Sequence, residues 1–545
     1  MRLFSIVAEE ILPMLKKVGQ KAKHPENWDI DLIQIIDIIP AVVLFICSRK
    51  RRENEMTSLI IKKEVNLPAP SPDDRRAHDQ RLRDALDLGP VEIPLPVLRR
   101  LPAIMRQGAP CSCIIGRTGD RHRLIEVGTG RSYSLAIDLG TTNLVALLYD
   151  NITQKDVLVR SRENPQIAFG SDILTRMHHA MSNRDEEVYR ALIDGINDLI
   201  ASLCREAGIE INDIHAVTAA GNTVMTHFFL GLDISTIPVD PFVPVVRTPG
   251  FFVASELALG VNPEAIVYAF PNAGSYVGGD ITAGIVASGM AQSDKTSILI
   301  DVGTNAEVVI GNREWMIVGA GAAGPALEEG ICRIGKRARK GIVYDIEITE
   351  GHVACRTFDE GTPEGICGSG MVSLLYELHK AGLIDRSGTL VDSKHVTTVG
   401  NERAFSIDCN CSNALYITQA EIQNFLKSKA AMFTLLLVLT RSVGISFGDI
   451  GSVYISGALG SGINPAKAVG IGMLPAWPEE IVKPLGNSSL KGARMVLVDS
   501  ELVNTVDAVV EKITYKHMHD DPEFMREFLG AVFIPHTNPD LLKVS

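Results

Sequence analysis

An apolar strand ending in Asp, a Gly-Thr turn and a second apolar strand follow one another twice in this chain, and no other feature restricts its fold so closely. The first copy is Leu135-Ala-Ile-Asp138-Leu-Gly140-Thr141-Thr142-Asn143-Leu-Val-Ala-Leu-Leu148. The second is Ile298-Leu-Ile-Asp301-Val-Gly303-Thr304-Asn305-Ala-Glu307-Val-Val-Ile310. Glycine allows a tight turn and a close approach of backbone to a ligand. Thr and Asn side chains, with the turn amides, can hold phosphate oxygens, and an Asp at a strand end can bind hydrated magnesium. Two such hairpins facing each other would clamp a nucleoside triphosphate. One Asp-x-Gly-Thr is equally well an ordinary hairpin turn. Two copies with Asp, Gly and Thr in the same places make turn chemistry alone a poor account.

Further downstream, Val453-Tyr-Ile-Ser456-Gly457-Ala458-Leu-Gly460-Ser-Gly462 is again a strand running into a glycine turn, with a helix from Pro465 behind it. Such a turn lets a flat base or ribose lie against bare backbone. Before the second hairpin, Gly278-Gly279-Asp280 starts a helix with Asp280 in its first turn, where a negative charge suits the helix dipole. Asp280 either caps that helix or orients a water near magnesium, and both readings stand.

The surrounding chain is that of a multidomain globular protein. Its 545 residues suit about three or four domains. A formal charge of −12 would repel a polyanion, so no nucleic-acid partner is expected. Strands and helices alternate from Ser134 onward, which predicts an α/β architecture. Val188, Leu192, Ile196, Leu199, Ile200 and Leu203 recur at helical spacing and predict one amphipathic helix ending near Gly208. Leu59 to Val65 alternates like a strand, and the proline-rich, charged stretch Leu67 to Arg76 reads as a linker. The expected divisions are therefore residues 1–65, an N-terminal region; 66–132, a linker module; 133–260, a middle region with the first hairpin; and 261–545, a C-terminal domain. No export signal or membrane anchor is expected. Ile38 to Cys47 is the most apolar stretch, but Asp29, Asp31 and Asp37 interrupt any window long enough to span a bilayer.

The order hairpin, helix, hairpin, glycine turn, helix resembles the nucleotide-binding core shared by acetate and sugar kinases, heat-shock chaperones and actin, the ASKHA superfamily. That resemblance implies a two-lobed, actin-like ATPase fold that binds ATP and magnesium. Asp138 and Asp301 would hold the magnesium, and with Asp280 they are the candidate catalytic residues. Gly140, Thr141, Thr142, Asn143, Gly303, Thr304 and Asn305 would line the phosphates, and Gly457, Ala458 and Gly460 the adenosine.

More specific stretches are Glu163-Asn-Pro-Gln-Ile-Ala-Phe-Gly170, Gly221-Asn-Thr-Val-Met-Thr-His227, Gly321-Ala-Ala-Gly-Pro-Ala-Leu-Glu328, Pro363-Glu-Gly-Ile-Cys-Gly-Ser-Gly370 and Gly486-Asn-Ser-Ser-Leu-Lys-Gly-Ala493. With the Pro-Ala-Pro-Ser-Pro-Asp-Asp linker they resemble, from about Pro68 to near Pro535, the reductive activators of corrinoid proteins. The resemblance implies ATP-dependent reduction of cobalt(II) to cobalt(I) on a corrinoid protein that serves a methyltransferase. A small-molecule kinase with the same core, or a nucleotide-gated module that binds a corrinoid protein without passing electrons, are the competing readings.

The nine cysteines bear on the electron path. They are Cys47, Cys111, Cys113, Cys204, Cys332, Cys355, Cys367, Cys409 and Cys411, scattered as in a reducing cytoplasm. Members of the resembled family typically carry an iron-sulfur cluster, most often in a plant-type [2Fe-2S] domain before the linker, with a C-x4-C-x2-C spacing and a later fourth cysteine. Residues 1–65 hold only Cys47, so no iron-sulfur cluster is expected, and electrons would come from a separate ferredoxin or reductase, docked through residues 1–65. The pairs Cys111-Ser-Cys113 and Cys409-Asn-Cys411 read as free thiols, and Cys367 as structural. His178 and His179 read as a solvated face. His227 is either a hydrogen-bonded structural histidine or a group that approaches the corrinoid partner. Association as a homodimer is left open.

Overall fold

The computed structural model describes residues 57–544 apart from 68–70, 108–109, 129, 171, 183–184, 304–305, 322–331, 337–338, 409–414, 458–461 and 519–520. Its first module contains β1 (Ile60–Asn66), α1 (His78–Leu86), β2 (Val91–Glu92), α2 (Leu95–Gln107), β3 (Pro110–Thr118) and β4 (Arg121–Val127) in a sheet of order β1-β3-β4-β2. β1 pairs with β3 along its whole length, from Ile60 opposite Gly116 to Asn66 opposite Pro110. The expected division after residue 65 therefore falls inside a sheet. Ahead of α1, Asp74 accepts from Arg76 and is ion-paired with the buried Arg81. Cys111 and Cys113 both lie buried on β3 in this module's core.

Two six-stranded sheets follow. The first lobe holds β5 (Tyr133–Leu139), β6 (Asn143–Asp150), β7 (Lys155–Glu163), α3 (Ile173–Met181), α4 (Asp185–Ala207), β8 (Ile214–Gly221), α5 (Thr223–Leu230), β9 (Gly250–Val253) and β10 (Ile266–Ala269), with strand order β7-β6-β5-β8-β10-β9. The predicted amphipathic helix is α4, and its six periodic residues are all buried in this lobe's core. β10 runs parallel to β8, Ile266 beside Ala216, so the sheet continues past the expected division at residue 260. His178 is exposed, as expected, whereas His179 is half-buried against the Phe169 ring, 4.9 Å between centroids.

After α6 (Gly279–Ser288) the second lobe begins with β11 (Ser297–Val302), β12 (Ala306–Gly311) and β13 (Met316–Gly321). Two small sheets come next: β14 (Ile342–Thr349), β15 (His352–Thr357) and β16 (Gly365–Ile366), then, after α7 (Gly368–Lys380), β17 (Val396–Val399), β18 (Glu402–Ile407) and β19 (Leu415–Thr418). The chain closes with α8 (Gln419–Ser442), β20 (Ser452–Gly457), α9 (Pro465–Gly470), β21 (Val482–Gly486), α10 (Ser488–Val498), α11 (Leu502–Lys512), β22 (Ile513–Tyr515) and α12 (Pro522–Ala531). The second large sheet has the order β21-β20-β11-β12-β13-β22. α8 is long and apolar enough to cross a membrane, but 83% of its apolar window is buried inside the second lobe, as in a core helix.

Two helices cross between the sheets. α6 leaves the first sheet after β10 and leads into β11 of the second. α10 leaves the second sheet after β21 and packs back on α6, β5 and β8. The crossing is built from small residues: a Cβ on Gly492 of α10 would lie 2.1 Å from the Ala283 carbonyl oxygen of α6, so only glycine lets the backbones meet this closely. At its far end α10 meets the start of the described chain, where Leu59 N–H and Ser58 Oγ donate to Leu497 O and Ser500 N–H donates to Thr57 O.

Candidate functional site

The first hairpin is β5 and β6, with Asp138 opposite Val145 and Leu139 opposite Leu144. A Cβ on Gly140 would lie 2.3 Å from Asn143 O, which restricts the turn to glycine. Two asparagines brace this turn. Asn164 is wholly buried; its Nδ2 donates to Gly140 O at 3.0 Å, and its backbone N–H donates to Thr142 O at 2.8 Å. Asn222 caps α5 by accepting from Met225 N–H, and its Nδ2 donates to Thr141 Oγ1 at 2.9 Å. Gly140, Thr141, Thr142 and Asn143 remain partly accessible.

His227, in the same motif as Asn222, is buried and bonded at both ring nitrogens. Nδ1 lies 2.7 Å from Thr223 O and Nε2 accepts from Val245 N–H at 3.0 Å. Burial pushes its pKa down, so the neutral ring holds a loop in place. Of the two readings of His227, the structural one fits this geometry.

In the second hairpin Asp301 lies opposite Glu307 on β12 and beside Ser456 on the parallel strand β20. Gly303 is half-buried, while Thr304 and Asn305 lie outside the described residues. Gly457 has φ +73°, and a Cβ there would lie 2.3 Å from Val302 O and 2.6 Å from Asp301 Oδ1. Glycine is required on both counts, and it lays bare backbone against the second hairpin's carboxylate. Ala458 and Gly460 are outside the described residues.

Asp280 sits in the first turn of α6, whose N-cap is Gly278 rather than Asp280. Its Oδ1 accepts from Ile281 N–H at 2.8 Å. Burial, then the charge of Asp301 and, more weakly, that of Asp138, push its carboxyl up to about 7. Asp280 on the crossing helix thus lies near Asp301 of the second sheet and, less closely, Asp138 of the first. Among the described residues no group of three or more acidic, Cys or His side chains is close enough to hold a bare metal ion.

The start of α10 reaches both hairpins. Asn487 Nδ2 donates to Asp138 Oδ2 at 2.7 Å and Ser489 Oγ to Asp138 Oδ1 at 2.9 Å. Ser488 Oγ lies 3.5 Å from Asp301 Oδ2. Asn164, Asn222, Asn487, Ser488 and Ser489 all belong to the specific motifs noted in the sequence, yet none is assigned a role there. The available signal was Asn immediately before a helical run, as in Asn222-Thr-Val and Asn487-Ser-Ser, which marks a cap with a side chain at a helix mouth.

The described cysteines other than the half-buried Cys355 are buried. Burial raises the thiols of Cys204 to about 11 and Cys332 to about 12, and also raises Cys111 and Cys113. Cys367 Sγ lies 3.0 Å from Ser369 Oγ and 3.3 Å from Val343 O at the start of α7, in keeping with a structural role. Cys47, Cys409 and Cys411 lie outside the described residues.

Residues 49–132 match the model of the RACo linker region, 133–293 that of the RACo middle region, and 295–545 that of the C-terminal domain of RACo, the ASKHA domain. The chain is 29% identical to the corrinoid activation enzyme RamQ of Eubacterium limosum over 73% of its own length and 69% of the relative's. It is 23% identical to a [Co(II) methylated amine-specific corrinoid protein] reductase of Methanosarcina barkeri, over 71% of its length and 74% of the relative's. A solved structure titled as a reductive activator for corrinoid, iron-sulfur protein superposes with a TM-score of 0.84 at 34% identity, covering 89% of this chain and 80% of that one. With an α/β fold of two lobes joined by crossing helices and an ASKHA C-terminal domain, this chain belongs to the family of reductive activators of corrinoid proteins.

Proposed function

We propose that the protein binds ATP with magnesium in the cleft between its lobes and couples it to the one-electron reduction of cobalt(II) to cobalt(I) on a corrinoid protein, in support of a corrinoid-dependent methyltransferase. The observation that carries this reading is the convergence of Asp138, Asp301 and Asp280 between two glycine-turn hairpins, one on each sheet. Concentrated negative charge suits a cation that arrives with phosphates. Asp138 and Asp301 would hold the magnesium that accompanies the nucleotide. Bound ATP supplies phosphate charge that both hairpins can grip, and a phosphoanhydride whose cleavage can reset the cycle.

The remaining steps belong to this chain. Gly140, Thr141, Thr142 and Asn143 cradle phosphate from the first lobe, and Gly303, Thr304 and Asn305 from the second. Gly457, Ala458 and Gly460 are the candidate contacts of the adenosine. Asp280, in the first turn of α6, orients a water beside them. Nucleotide that touches both lobes favours the closed form by its differential affinity. Closure alters the surface offered to the corrinoid partner and so its cobalt ligation. The electron comes from a separate ferredoxin or reductase in the cytoplasm.

The test mixes the protein with ATP, magnesium, a cobalt(II) corrinoid protein and a low-potential donor, and follows the corrinoid spectrum. Cobalt(I) should appear faster with the protein and ATP than without either. Equal rates in their absence would sink the proposal. Iron and labile sulfide in the purified protein would overturn the separate-donor part.

A further inference from the structure

We infer that Asn487 and Ser489, at the mouth of α10, are positioning residues that hold Asp138 for the magnesium-bound nucleotide and tie the first hairpin to the second lobe. The inference rests on the nucleotide reading above and deepens it. The chain enters α10 directly from β21, which pairs with β20 in the second sheet. Asp138, 349 residues away in sequence, lies on β5 of the first sheet. The bonds of 2.7 and 2.9 Å therefore join one lobe to the other.

Each oxygen of the Asp138 carboxylate receives one of these donors. Two donors on the two oxygens fix the plane of the carboxylate. The intervening residue, Ser488, points its hydroxyl at Asp301 from 3.5 Å, a much weaker contact. Consecutive residues of one helix start thus address both hairpins, and the stronger grip is on the first. Ser488 also packs closely on α6, where a Cβ on Gly284 would lie 2.9 Å from its Oγ. Asn487 has two separable tasks: its Oδ1 accepts from Leu490 N–H at 2.8 Å as the helix cap, and its Nδ2 serves Asp138.

That separation makes the test sharp. Serine caps helices about as well as asparagine but lacks the reach to donate to Asp138, so Asn487→Ser keeps the cap and removes the grip. Binding of a fluorescent ATP analogue is titrated in magnesium and again in EDTA for the wild type, Asn487→Ser, Ser489→Ala and Ser489→Thr, with a thermal melt of each. Hydrogen bonds to a charged group are strong enough that Asn487→Ser and Ser489→Ala should each weaken magnesium-dependent binding about tenfold or more. Affinity in EDTA should stay within about twofold, because Asp138 then has no cation to meet. Ser489→Thr, which keeps the hydroxyl, should restore wild-type behaviour. Wild-type affinity in both variants, or an equal loss with and without magnesium, overturns the inference while leaving the nucleotide reading intact. A wild-type chain that binds no nucleotide overturns both.

Discussion

Replacing Gly492 with alanine sets two known effects against each other. In an ordinary helix the change would stabilise by about 1 kcal/mol, because alanine is the better helix former. Here the new Cβ would lie 2.1 Å from the carbonyl oxygen of Ala283, 2.5 Å from its carbon and 2.8 Å from its Cα. Carbon and oxygen normally approach to about 3.3 Å, so the shortfall is about 1.2 Å. All three atoms are backbone, and no rotamer change relieves the clash. Overpacking of this kind costs about 1–3 kcal/mol, with an immovable neighbour at the upper end, so the expected net loss is about 2 kcal/mol. Relief requires α10 to move off α6 by about an ångström. Moved that far, Asn487 and Ser489 would leave hydrogen-bonding range of Asp138, starting from 2.7 and 2.9 Å. Thermal melts and nucleotide titrations with magnesium should show both losses together, from a residue that touches no ligand. A variant that melts at or above the wild-type temperature, with unchanged affinity, would refute the reasoning.

Other outcomes follow from the same geometry. Asp138→Asn and Asp301→Asn should each weaken magnesium-dependent nucleotide binding while circular dichroism stays native; unchanged affinity in both removes the site assignment. Lys467, on α9, donates to Asp345, Ile346 O and Ser373 at 2.7–2.8 Å and lies 3.4 Å from Glu377. Lys467→Met should cost about 3 kcal/mol, the lower end for a broken buried pair, because buried Glu377 and half-buried Asp345 keep only the more distant Lys380 and Arg356, at 3.7 and 3.9 Å, read by denaturant unfolding. Burial raises the Asp345 carboxyl, but bonds from Lys467 and Ser373 outweigh it and hold it below its ordinary value. Its stabilisation is therefore complete above about pH 4 and is lost as pH falls through the depressed folded value; melts of Asp345→Asn should show a flatter acid limb than wild type. Asn164→Ala should cost about 1–3 kcal/mol and loosen the first hairpin turn, because Gly140 O and Gln166 N–H lose a buried partner; hydrogen exchange at Thr141 and Thr142 reads the loosening.

What the sequence made legible was local. The hairpins are recognisable because strand, Asp and glycine turn follow within a few residues, and Gly140 and Gly457 are glycine for steric reasons confined to their own turns and the adjoining strand. Helix α4 is legible because its buried face repeats with the helical period. Strand β1 could be seen as an alternating run, but not that its partner β3 begins at Pro110, so the boundary drawn after residue 65 cut through a sheet. The division at residue 260 failed for the same reason, since β10 belongs to the first sheet only through its pairing with β8. Asn487 and Ser489 were visible as part of a motif, yet their task depends on a carboxylate brought in from the other end of the fold. Pairing across hundreds of residues leaves no periodic trace in either segment.

Helix α10 has eleven residues, a rigid strut of about 16 Å. One end grips the aspartate of the first hairpin, and the other is bonded through Leu497 and Ser500 to Thr57, Ser58 and Leu59. The bonds to Asp138 and those to Thr57, Ser58 and Leu59 thus hang on the two ends of one strut. A tilt of α10 as a rigid body shifts both sets of bonds at once, so the hold on Asp138 and the anchoring of β1's leading residues share one degree of freedom.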